Sequence, residues 1–332
     1  MQKPLLSGFT CTSTTNDVMK GINLSGKPII VTGGYSGLGL ETTKVFARAG
    51  ARVIVPARNV QLATERLSDI PNAEVWYMDL LNTKTVDEFA EKFIREFGTL
   101  HILLNNAGIM AVPEYKTDSH GNELQFATNH LGHFYLTGKL LPALIQAEHS
   151  RVVTVSSRGH RISDVFMDDV NFQSTPYDPW LAYGQSKTAN ALFAYELNKR
   201  GAQFGIQSFS VHPGAIYDTN LMQFMPSESL RERGVLNAQG KAILDPAQDR
   251  KSIEQGAATQ VWCATSPLLN PHGGEYCEDC DISSLLPDDE TTPFLRNPKA
   301  MRQQGVKSFA VDPMRAEQLW HLSQTLTGLR YL

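Results

Sequence analysis

Short apolar runs recur along the chain at 28–32, 52–56, 74–78, 101–105, 151–156 and 206–211, and the stretches between them carry helical patterns. Segments such as Ile29-Ile30-Val31 and Val53-Ile54-Val55 are continuously apolar, whereas a strand with one wet face alternates. The runs therefore predict parallel strands covered on both sides. Strand–helix alternation of this kind predicts an α/β fold with an open, doubly wound parallel sheet of Rossmann type. Its crossovers should be right-handed, with a ligand at the carboxyl ends of the strands.

Polar, Ser/Thr-rich residues 1–26 predict an arm before the first strand, with a short helix starting near Asp17-Val18-Met19. Residues 27–285 read as a single domain and 286–332 as a carboxyl-terminal extension. Within these, 281–311 reads as loop. Asp312-Pro313 then opens a final helix, Asp as cap and Pro in the first turn, with Leu319, Trp320, Leu322 and Leu326 as its apolar face. The rhythm breaks at 212–250, which carries Tyr217, Leu221, Met222, Phe224, Met225 and Leu230. A connection of that length in a compact domain is usually functional.

The 332 residues suffice for one large domain. A net charge of −4 with dispersed basic residues speaks against nucleic acid as partner. The absence of a long apolar run or a basic-then-apolar amino terminus predicts no membrane span and a cytoplasmic protein. Four cysteines are too few for a disulfide framework. Cys277 and Cys280 form a C-x-x-C, but without further paired ligands they read as reduced thiols rather than a metal or redox site.

Candidate chemistry lies in two motifs. Tyr183-Gly184-Gln185-Ser186-Lys187 sets a phenol and an ammonium one helical turn apart, where the lysine cation would lower the tyrosine pKa towards neutrality. Pro28 to Gly39 runs from strand into a glycine-rich turn and a helix, the context of a dinucleotide site. Gly33 permits the turn, Gly37 lets backbone approach the pyrophosphate, and Gly39 allows close packing. With Asn105-Asn106-Ala107-Gly108 and Ser156-Ser157, these motifs resemble the short-chain dehydrogenase/reductase family over roughly residues 25 to 280.

The resemblance implies Ser157, Tyr183, Lys187 and Asn129 as catalytic residues. Ser157 would donate to a carbonyl oxygen, Tyr183 deliver the proton, Lys187 hold the nicotinamide ribose, and Asn129 hold a water that reloads the proton. Ser156 and Ser157 face opposite ways on a strand end, and the family pattern favours Ser157. Nearby His160 reads as structural rather than as a relay. The implied cofactor site comprises Gly33, Tyr35, Ser36, Gly37, Leu38, Gly39, Arg58, Asp79, Leu80, Asn106, Ala107, Gly108, Pro213, Gly214 and Ile216, with Tyr183 and Lys187. The second strand ends in Ala57-Arg58 where an NAD enzyme carries an acid. Arg58 therefore points to NADP in preference to NAD.

The longer path from Ser157 to Tyr183, with Phe166, Met167, Phe172, Tyr177 and Trp180, resembles the retinol dehydrogenase and WW-domain oxidoreductase branch, as do His212-Pro213-Gly214 and the later Cys277 segment. That branch implies hydrophobic alcohols, aldehydes or ketones, with Ser157, Tyr183, Tyr217, Met222 and Phe224 towards the substrate. The aromatic residues suit a pocket or a core equally. One additional residue before Thr219 speaks against a contact from it to the cofactor amide. Family habit implies a homodimer or homotetramer through helices near 121–147 and 180–200, which the extra segments could block. An NADP(H)-sensing regulator on the same fold and a carbon–carbon double-bond reductase are the alternatives.

Overall fold

Strands β1 (Pro28–Val31), β2 (Arg52–Ala57), β3 (Ala73–Tyr77), β4 (Ile102–Asn105), β5 (Ser150–Val155), β6 (Ile206–His212), β7 (Tyr276–Glu278) and β8 (Asp281–Ile282) form one sheet in the order β3-β2-β1-β4-β5-β6-β7-β8. The computed structural model describes residues 2–219, 221, 224–225, 227–232, 235–237, 239–287 and 303–332. Strands β1 to β7 run parallel, and β8 returns antiparallel to β7.

Successive side chains of a strand point to opposite faces, which explains the unbroken apolar runs. Ile29, Val31, Val53, Val55, Leu104, Val153 and Phe209 share one core with helices Gly37–Arg48 and Ile253–Thr265. Their neighbours Ile30, Ile54, Leu103 and Val152 share another with helices Thr83–Phe97, Gly132–Gln146 and Pro179–Gly201. Both faces exclude water, so neither tolerates polar alternation.

Strands β1 to β6 lie where the apolar runs predict them. Strand β8 falls in the segment expected to be loop, and β7 lies where no element was predicted. Asp279 and Cys280 make the hairpin turn with φ of 53° and 58°. Turns that need positive φ usually announce themselves as Asn-Gly or Asp-Gly, a signal that Asp-Cys lacks. Cys277 and Cys280 are buried free thiols, and among the described residues no cluster of His, Cys, Asp and Glu could hold a metal ion. No helix of the described residues is long and apolar enough to cross a membrane.

The amino-terminal arm lies on the first core through Leu5, Phe9, Met19 and Ile22, and its helix, Thr15–Val18, is capped by Thr14. At the other end, helix Pro313–Thr327 begins as the sequence predicts, with the Asp312 carboxylate accepting from Arg315 N at 2.9 Å. Leu319 and Trp320 are buried, and the Trp320 ring lies 5.1 Å from Phe134 and 6.0 Å from Phe193. This helix thus covers part of the surface of the two helices to which the family resemblance assigns self-association.

Candidate active site

A cleft of about 480 Å³ opens at the carboxyl ends of β1 to β6, where the strand order reverses between β1 and β4. Each strand contributes its following turn, the arrangement expected of ligand sites in open α/β sheets.

One half is a backbone cradle. Gly33, Tyr35, Ser36, Gly37, Leu38 and Gly39 line it after β1. Gly37 takes φ +50°, and Ser36 sits at the cap position of the next helix without capping through its side chain. The helix-start N–H groups and their positive dipole end thus face the cleft, a ready anion site. A Cβ at Gly39 would fall 2.6 Å from Asn106 Nδ2 and still closer to the Gly33 carbonyl, so this turn admits glycine alone. Thr32 welds the cradle to the β4 turn: its hydroxyl oxygen accepts from Asn106 N and Ala107 N, both at 2.9 Å, while Asn106 Nδ2 donates to Thr32 O at 2.8 Å. Arg58 at the tip of β2 is exposed on the rim, and Asp79, Leu80, Ala107 and Gly108 complete this half.

The other half holds the titratable groups. Asp178 caps helix Pro179–Gly201 by accepting from Trp180 N and Leu181 N, and Pro179 fits its first turn. Tyr183 and Lys187 follow one turn apart, both buried. Both serines border the cleft, but the Ser156 hydroxyl is buried and donates to Lys187 O at 2.7 Å, whereas Ser157 is partly exposed. The Ser157 oxygen accepts from Gly159 N at 2.9 Å, and both Ser157 and Tyr183 line the cleft.

The expected depression of the Tyr183 pKa is not found. Burial pushes the phenol up to about 12, opposed by the Ser157 hydrogen bond. Burial also pulls Lys187 down to about 7, and its Nζ donates to Val155 O at 2.9 Å, 5.7 Å from the Tyr183 ring centroid. A half-charged lysine aimed at a carbonyl gives the phenolate little support.

Asn129 lies in a π-helical turn, Ala127–Leu131, a local geometry frequent at functional sites. Its Oδ1 accepts from Ile109 N, and both hydrogens of Nδ2 are spoken for, by Ile109 O and Ser186 Oγ, each contact 2.9 Å. The side chain therefore pins the loop after β4 to the tyrosine helix. A water could reach it only through an oxygen lone pair. Two residues that sequence reading missed support this turn. His133 Nδ1 donates to Asn129 O at 3.0 Å while Nε2 meets the Thr32 hydroxyl at 2.9 Å, and burial keeps the ring neutral with its pKa down at about 4. Glu123, fully buried, accepts from Gln125 N at 2.9 Å and Phe126 N at 2.7 Å just before the turn. An isolated histidine or glutamate has no spacing signal, so neither was visible without the fold.

Towards the mouth, Met110, Ala111 and Tyr183 form an apolar cluster with Trp180, Leu221 and Met225. Tyr217, Pro213, Gly214 and Ile216 line the cleft. Phe224 does not line it and is 42% exposed, while Met222 lies outside the described residues. Thr219 does reach the cradle, its methyl falling 3.1 Å from where a Gly37 Cβ would be. Of the aromatics between Ser157 and Tyr183, Trp180 stands edge-on to Tyr183 at 6.3 Å. Phe166, Phe172 and Tyr177 pack on one another instead. His160 is a structural wedge, its Nδ1 2.7 Å from Ser157 O and its Nε2 accepting from Lys307 N at 3.1 Å.

Known proteins are similar to this chain in sequence and fold. The family model described as short chain dehydrogenase matches residues 27–229. Retinol dehydrogenase 12 of Mus musculus is 35% identical over 335 residues, covering 99% of this chain and 93% of that protein. The WW domain-containing oxidoreductase of Pongo abelii is 36% identical over 299 residues, covering 86% and 69% respectively. Among solved structures, an uncharacterized protein from Mycobacterium Paratuberculosis superposes with a TM-score of 0.71 at 30% identity, covering 97% of this chain and 99% of that one. A glycine cradle, a serine–tyrosine–lysine centre and matches of this extent lead to one conclusion: the chain is an oxidoreductase belonging to the short-chain dehydrogenase family.

Proposed function

We propose that the protein is an NADP-dependent carbonyl reductase or alcohol dehydrogenase acting on a medium-to-large apolar substrate. The observation that carries the reading is the position of Tyr183. It lies at the boundary between the glycine cradle and the Met110–Trp180–Leu221–Met225 cluster, where a polar cofactor and an apolar substrate would meet. A bound nicotinamide would supply or accept the hydride. The residues fit such a group: the cradle offers backbone donors to a pyrophosphate, Asp79 and Leu80 flank an adenine position, and Lys187 is buried beside the tyrosine.

The chain's own part in the reaction follows from charge. Hydride arrival at a carbonyl carbon builds negative charge on oxygen, which donors held in place stabilise. Ser157, whose oxygen accepts from Gly159 N, would turn its hydrogen to that carbonyl oxygen. Tyr183 delivers the proton, and a phenol with a pKa near 12 stays reliably protonated for reduction. In the oxidative direction the phenol must lose its proton, which requires a charged Lys187; ribose hydroxyls on Nζ would draw it off Val155 O. The apolar cluster favours bulky hydrophobic carbonyls. Arg58 at the β2 tip, in place of an acid, favours a 2′-phosphate and hence NADP over NAD.

The test is Tyr183→Phe assayed with NADPH and a panel of ketones and aldehydes graded by size and apolarity. Turnover is expected to fall at least about 100-fold, the usual contribution of a positioned acid, while NADPH binding stays within about threefold. Retained turnover in the variant overturns the mechanism, and wild-type protein that turns over none of the panel overturns the reductase reading.

A further inference from the structure

The residue after Ser157 belongs to a buried ionic cluster that the catalytic roles leave unused. Arg158 Nη1 lies 3.0 Å from Asp249 Oδ2, and its Nε donates to Glu278 Oε2 in β7 at 3.0 Å. His212, the last residue of β6, meets the same Asp249 Oδ2 through Nε2 at 3.0 Å. Its Nδ1 lies 3.1 Å from Arg158 N, a donor, so Nδ1 must accept. The ring therefore carries its one hydrogen on Nε2 and gives it to Asp249. It is neutral and fully engaged, which makes it a link rather than a proton shuttle.

The positions of these residues matter more than their charges. His212 begins the long segment that lines the cleft through Ile216, Tyr217, Leu221 and Met225, and Asp249 ends it. Backbone bonds zip the same two ends together: Ala215 N donates to Asp249 O at 2.8 Å, and Lys251 N to Ala215 O at 3.2 Å. Asp249 also takes φ +65°, a conformation that L side chains avoid unless their surroundings impose it. Its second oxygen, Oδ1, is buried with no hydrogen-bond partner among the described residues. A strained backbone and an unsatisfied carboxylate oxygen both cost stability.

We propose that Asp249 is a positioning residue: through Arg158 and His212 it locks the serine turn to both ends of the 213–249 segment, so that Ser157 and the residues lining the substrate side share one rigid frame. The inference rests on the reductase reading for its kinetic consequence but not for its structural one, and the two can fail separately.

The test compares wild type with Asp249→Ala, which removes the shared acceptor, and Asp249→Asn, which keeps its shape and one oxygen but drops the charge. Hydrogen exchange on the ligand-free proteins needs no activity. Amides of 157–162 and of 213–219 should both exchange faster in Asp249→Ala, by roughly tenfold or more, the range for coupled contacts. Asp249→Asn should move both in the same direction by a smaller factor, and it decides the question if the alanine variant fails to fold. Acceleration confined to 245–251 overturns the proposal. In turnover, KM for the carbonyl and the deuterium isotope effect with deuterated NADPH should both rise, with NADPH affinity within about threefold. A fall in kcat that merely tracks the folded fraction, with KM and isotope effect unchanged, also overturns it. Inactive wild-type protein with the expected exchange pattern would sink the reductase reading and leave the lock standing.

Discussion

The Glu123 carboxyl gives a prediction whose sign and size both come from the structure. Burial pushes its pKa up to about 7 from an ordinary 4.5, against the pull of the Gln125 and Phe126 N–H groups. The titratable group facing it, Tyr177, has its own phenol pushed up to about 12 and stays neutral over the range that matters. Below pH 4.5 the carboxyl is protonated folded or unfolded, and it contributes no pH dependence. Between 4.5 and 7 the unfolded chain loses this proton while the folded chain keeps it, so stability falls as pH rises. The rise from 4.5 to about 7 corresponds to roughly 3 kcal/mol, at about 1.4 kcal/mol per pH unit. Glu123→Gln leaves one acceptor for the two N–H groups and removes the titration. Its effect at a single pH mixes several causes, but the difference from wild type isolates the carboxyl. Urea melts from pH 4.5 to 8 should show wild type losing about 2–3 kcal/mol relative to the variant, mostly between pH 5 and 7. Parallel profiles would refute the reasoning and mean that the carboxylate is well served where it lies.

Two further outcomes test the cofactor half of the cleft. Arg58→Ala should raise KM for NADPH about 10-fold or more, the range of one lost charge-assisted hydrogen bond, and leave KM for NADH nearly unchanged; equal effects on both cofactors, or none, would remove Arg58 from the 2′-phosphate site. Gly39→Ala puts a methyl against Asn106 Nδ2 and the Gly33 carbonyl, neither of which can swing aside, so NADPH affinity measured by fluorescence titration should fall at least about 10-fold, an overpacking cost of a kcal/mol or more. Wild-type affinity in that variant would show that the turn relaxes without harm.

How much of this was legible in the sequence depended on whether the signal was local. Strands β1 to β6 were visible because burial on both faces writes itself as unbroken Ile/Val/Leu runs. The Asp312 cap and the glycine cradle were visible because each is a backbone need met by a particular residue type. Strands β7 and β8 were not, since their turn uses Asp279 and Cys280 at positive φ without glycine. The electrostatics of Tyr183 also escaped: a Y-x-x-x-K spacing places the two groups but does not report that burial raises one and lowers the other. Contacts between residues far apart in the chain left no trace at all. Asp249 with Arg158, and Thr32 with His133, are of this kind.

Helix Pro179–Gly201 bears on how the chain reaches its active form. From Ala182 to Leu197 nearly every residue is buried, Phe193 under Trp320 and Tyr183 under Trp180. A helix without a polar face has little reason to form alone in water. It becomes stable when β5 and β6, its neighbours in the chain, and the distant 313–327 helix have closed around it. The tyrosine–lysine pair, four residues apart in the chain, is thus held in place by packing from both neighbouring and distant parts of the chain.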